Sequence, residues 1–119
     1  MSAPPMEYNL HDSVVLTTAF EEVGRLTLQI QLYEIYYPEE SIVKLTISGI
    51  VNVSEVKAFH EEIIKNSSQK GWLGCRIDEI KRIDEPLPKA DWSELWVSIN
   101  HLKPLSIRCR KYRFLKIGK

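Results

Sequence analysis

The chain has 119 residues, 44% of them hydrophobic and 27% charged, with 16 basic side chains balancing 16 acidic ones and a pI near 6.8. That composition excludes collagen-like and disordered chains, suits a single domain over residues 1–119 that needs no staples, and weighs against a dedicated nucleic-acid domain, which is usually basic. No apolar run approaches the ~20 residues of a membrane-spanning helix, and the first residues lack the basic and apolar regions of a secretory signal, so a cytoplasmic protein is expected.

Residues 1–9 read as a loose lead-in, and Asn9 to Ser13 as turn chemistry. A first strand is expected over residues 14–20, with the Thr17, Thr18, Ala19 run disturbing its alternation. Glu21, Glu22, Val23 and Gly24 then form a hairpin loop. In the next segment Leu26, Leu28, Ile30 and Leu32 alternate with Thr27, Gln29, Gln31 and Tyr33, the period-2 pattern of a strand with one buried face. After a break at Tyr36, Tyr37, Pro38, Glu39 and Glu40, residues 42–51 return as a third strand through Val43, Leu45 and Ile47. Gly49 inside it marks a bulge or a close backbone approach.

The period then changes. Val56, Phe59, Ile63 and Ile64 form a helical stripe, which predicts a helix over about residues 54–67, with Asn52 and Glu55 spaced as a capping box. A strand over 72–83 is expected to bulge near Asp78 and Glu79, where its apolar phase shifts. Residues 84–91 read as a loop, 95–99 as a strand, 100–104 as a turn, and the chain from Leu105 onward as a last strand whose phase slips before Tyr112 and Phe114. The sum is an α+β fold: a mostly antiparallel sheet of about six strands with one main helix packed on one face.

No catalytic or cofactor motif is present. His60 and Glu61 begin a His-Glu-x-x-His zinc motif, but the second histidine position is Ile64. His11 and Asp12 suit a turn better than a metal site, and only His60 and His101 could join them. Asp78, Glu79, Asp84 and Glu85 lie among Lys81 and Arg82 as a solvated strand end. Cys75 and Cys109, the only cysteines, have no Cys-x-x-Cys spacing and read as reduced, apolar-like side chains, with a disulfide between them the alternative if their strands are neighbours. There is no nucleophile elbow and no glycine-rich phosphate loop. The expectation is a protein that is not an enzyme and holds no metal or cofactor.

Charge is unevenly spread. Residues 1–41 carry seven acids and one base, and residues 104–119 six bases and no acid. Tyr33, Tyr36 and Tyr37 beside Glu34, Glu39 and Glu40 make a surface suited to a basic protein partner, because tyrosine supplies contact area and carboxylates steer a cation. Arg108, Arg110, Lys111 and Arg113, interleaved with Tyr112 and Phe114, suit phosphate tracking with base stacking, or simply complement the N-terminal acids.

Leu10, His11, Asp12 and Ser13, followed by the 26–32 stripe and then Val43-Lys-Leu-Thr-Ile-Ser-Gly-Ile-Val51, resemble the small bacterial immunity proteins of polymorphic-toxin systems. The resemblance covers residues 9–53 and carries over no active-site residue. It implies an inhibitor that occludes the active surface of a cognate toxin, with a nuclease the natural case. The alternatives are a nucleic-acid-binding accessory domain using the basic C-terminal strand, and a small enzyme without a recognisable motif.

Overall fold

The computed structural model describes residues 8–39, 42–70, 75–83 and 93–118. In chain order the elements are β1 (Val14–Glu21), β2 (Arg25–Gln31), β3 (Ile42–Ser48), α1 (Val53–Lys70), β4 (Ile77–Ile83), β5 (Ser93–Ile99), β6 (Leu105–Cys109) and β7 (Lys111–Gly118). The α+β class with antiparallel strands is as expected from the sequence. Among the described residues the strands number seven, in two sheets ordered β1-β2-β3-β7 and β4-β5-β6.

The apolar stripes dictate the registers. Leu26, Leu28 and Ile30 pair with Ile47, Leu45 and Val43, all fully buried. Each such side chain contributes roughly 1.5–3 kcal/mol of burial. In β1 the register shifts between Val15 and Thr17, leaving Leu16 without a partner. That bulge explains the imperfect alternation, and it returns Thr18 and Phe20 to the core side opposite Leu28 and Leu26. The bulge expected near Asp78 and Glu79 is present, with the β4 register shifting between Ile77 and Glu79. Inward residues of both sheets and Val56, Phe59 and Ile63 of α1 make one core.

Helix α1 outruns its apolar stripe. Asn66, buried to 6% exposure, continues the stripe as a polar residue and hydrogen-bonds the Cys75 thiol. Hydrophobic periodicity cannot register that contact, so the helix runs to Lys70. At its start Asn52 does more than cap. Its side-chain amide donates to the Ser106 carbonyl (2.8 Å) and to Glu55 (3.2 Å), while its Oδ1 accepts the Arg108 N–H (2.9 Å). The helix is thereby stapled to β6.

The two sheets meet at two corners. At the first, Ser13 and Ile77 join β1 to β4: the Ile77 N–H donates to the Ser13 carbonyl (2.7 Å), the Asp12 N–H to the Ile77 carbonyl (2.9 Å), and Val14 bridges to Arg76. Asp12 adopts a left-handed conformation, φ 66°, which Asp tolerates better than most residues. At the second corner the chain bends at Arg110 and passes from β6 in one sheet into β7 in the other. The Arg110 N–H is shared between the Ser48 and Gly49 carbonyls, both at 3.1 Å. Gly49 has φ 66°, and a Cβ there would fall 2.6 Å from Arg110 Cβ. The close approach read from its position is this contact.

Candidate functional site

Two surfaces concentrate the side chains singled out above. The first is the turn after β2. The Tyr36 and Tyr37 N–H groups both donate to the Tyr33 carbonyl (3.0 and 3.1 Å), closing a compact turn. It is anchored on the first corner at two points: the Tyr33 N–H donates to the buried Ser13 hydroxyl (3.1 Å), and the Asn9 N–H donates to the Tyr37 hydroxyl (2.6 Å). Tyr33 meets Tyr36 edge to face at 5.3 Å between centroids, and Tyr36 meets Tyr37 at 6.5 Å. Tyr37 then meets Tyr8 at 5.4 Å, and Tyr8 meets Phe114 of β7 at 5.1 Å. Each edge-to-face pair adds about 0.5–1.5 kcal/mol beyond burial. On this rigid base Ile35 is 69% exposed and Tyr36 44%, with Glu34 and Glu39 exposed beside them. Glu40, the last member of the acidic set, lies outside the described residues.

The sequence places Tyr8 and Asn9 in the lead-in. Their part in the ladder and in holding Tyr37 was legible only as an aromatic and a turn former before the His-Asp-Ser run. That run itself is a structural corner. Leu10 is buried, Ser13 bonds Tyr33, and the His11 ring Nδ1 donates to the Asp78 carbonyl at 2.7 Å.

The second surface is the solvent face of the first sheet. Strand alternation splits the basic C-terminal run. Tyr112 and Phe114 pair with Ile47 and Leu45 on the core side, while Lys111 and Arg113 pair with Ser48 and Thr46 on the outer side. The aromatics therefore cannot stack bases beside these cations. Arg108 stands on β6, and the stem of Arg110 covers Gly49 at the bend. Two basic residues from elsewhere, Arg25 and Lys44, join Lys111 and Arg113 around a polar depression of about 410 Å3. Glu21 at its margin holds Arg25 at 3.0 Å. Among the described residues Lys44, Lys111 and Arg113 have no ion-pair partner.

The expected internal complement between the N-terminal acids and the basic strand does not form among the described residues. β1 and β7 are opposite edges of their sheet. Glu21 pairs with Arg25, Glu22 with Lys57, and Asp12 with Arg76.

The other candidates disperse. His60 Nδ1 shares a hydrogen bond with the Thr18 hydroxyl (2.9 Å), and its ring lies 5.8 Å from that of Phe20. Burial holds its pKa below the ordinary histidine value, against an opposing pull from Glu61. His101 occupies the β5–β6 turn in a left-handed conformation. Cys75 and Cys109 are free and buried, and burial pushes both thiols up, Cys109 to about 11. Among the described residues no group of three His, Cys, Asp or Glu side chains could hold a metal ion, and no helix is long and apolar enough to cross a membrane. Asp84 and Glu85 lie outside the described residues. Comparison with protein-family models, curated proteins and solved structures yields no match.

Proposed function

We propose that the protein is a cytoplasmic, protein-binding inhibitor of the immunity-protein kind, which docks its 33–39 turn on the active surface of a cognate bacterial toxin. The observation that carries this is the turn itself: Ile35 and Tyr36 are held exposed on a tyrosine ladder and flanked by Glu34 and Glu39. Large apolar groups exposed on a pre-ordered base lose little freedom on binding, which is how interface hot spots gain their energy. The carboxylates select a cationic partner. Nucleases fit that demand, since a surface that grips phosphates is basic. The resemblance over residues 9–53 supports the same role class.

The test asks whether a toxin-like protein is encoded next to this chain and pairs the chain with that protein's C-terminal domain; no such neighbour would count against the reading. Co-expression should protect the host, and the two should coelute. Ile35→Ala with Tyr36→Ala should weaken binding at least about 30-fold, equivalent to roughly 2 kcal/mol for a hot-spot loss. Full protection by the double variant would sink the assignment to this turn, and no protection by the unaltered chain would sink the inhibitor role.

A further inference from the structure

The solvent face of the first sheet has different chemistry from the turn. We infer that it binds the phosphodiester backbone of a nucleic acid without reading its bases. Three side chains set the site. Lys111 and Arg113 are alternate residues of β7, so they stand on the same face about 6.8 Å apart. Lys44 on the neighbouring strand pairs with Leu115, which extends the positive row to roughly 14 Å from Lys111. A span of that length matches several successive phosphates on one strand, which repeat every ~3.4 Å of helix axis. It exceeds what one phosphate group could reach.

The residues between the cations point the same way. Thr46 and Ser48 lie in the rows of Arg113 and Lys111, and Thr27 pairs with Thr46 across β2 and β3. Hydroxyls interspersed with lysine and arginine are the groups that hydrogen-bond phosphate oxygens in protein–DNA interfaces. A protein partner is disfavoured, because interface cores are enriched in aromatics and depleted in lysine and serine. None of the chain's described aromatic side chains lines the depression. Tyr112 and Phe114 face the core, so neither stacks bases on this face, and recognition rests on its charges and hydroxyls. The neutral total charge of the chain hides this segregation.

The experiment is anisotropy titration of a short labelled DNA duplex by the full chain across a salt series. Three ion pairs predict a log–log salt slope of about −2.7. Lys111→Ala with Arg113→Ala should weaken binding more than about tenfold and bring the slope to about −0.9. Lys44→Gln, on a different strand, should by itself remove about one unit of slope. Arg108→Ala lies off this face and should leave binding within about twofold of the original, where a site spread along the C-terminal run would lose affinity. Absence of saturable binding, indifference to the Lys111/Arg113 pair, or tripolyphosphate binding as tight as the duplex would each overturn the inference. The Ile35→Ala, Tyr36→Ala variant should bind duplex normally, so failure of the turn's role and failure of this one are distinguishable.

Discussion

The two corners that join the sheets solve one problem by opposite means. At the first, hydrogen bonds close the join: the Asp12 N–H and the Ser13 carbonyl grip Ile77, and the buried Ser13 hydroxyl takes the Tyr33 N–H of the adjacent turn. At the second, the missing side chain of Gly49 closes it, since the stem of Arg110 lies where a Cβ would be. The contrast shows how each neighbouring surface is positioned. The tyrosine turn inherits its orientation from a hydrogen bond, and the basic face inherits the start of β7 from close steric contact.

The sharpest way to break the contrast is Gly49→Ala. It forces a non-glycine residue into φ 66° and places a Cβ against the Cβ and Cγ of Arg110 at 2.6 and 2.7 Å. Left-handed strain and overpacking together should cost about 2–4 kcal/mol in chemical denaturation. Arg110→Gly in the same chain should recover part of that loss; no recovery would show that strain at residue 49 alone sets the cost.

Ser13→Ala comes next. It leaves the Tyr33 N–H unpaired at the edge of the core, at a cost of about 1–3 kcal/mol. Hydrogen exchange should accelerate at Tyr33 and the turn while Lys111 is unaffected; an equal rise at both would mean the corners are not separable.

The smallest effect lies between the corners, where α1 meets β1. His60 takes up its proton at lower pH in the folded chain than in the unfolded one. Between those two values the unfolded chain binds more protons, so stability rises with pH. The contribution is complete above the ordinary value of 6.5 and is lost as pH falls toward the lowered one. His60→Gln should flatten the denaturation midpoint between about pH 7 and pH 5; an unchanged slope would assign the dependence elsewhere.

Much of this architecture was legible because it is local. The stripes of β2 and β3, the Gly24 hairpin, the bulge after Ile77 and the approach at Gly49 each leave a mark within a few residues. The end of α1 was not legible, because Asn66 extends the buried face with a polar group. Nor was the pairing of β7 with β3, since alternation fixes which side chains share a face without naming the neighbouring strand. The same limit explains the basic face. Arg25, Lys44, Lys111 and Arg113 each occupy polar-side positions of their strands, but only long-range register brings them together. The turn's acids and tyrosines, clustered in sequence, were found directly.

The bend at Arg110 also constrains the order in which the molecule can assemble on the ribosome. Strands β1 to β3 can zip as a meander as soon as they emerge, since each pairs with its neighbour. The open edge of β3 must then wait while α1, β4, β5 and β6 are synthesised before β7 arrives to cover it. Until then an apolar-faced strand edge stands uncovered, the condition under which nascent chains associate wrongly. Because one uninterrupted stretch of chain supplies β6 to the second sheet and then β7 to the first, the sheet begun first is the last to be completed.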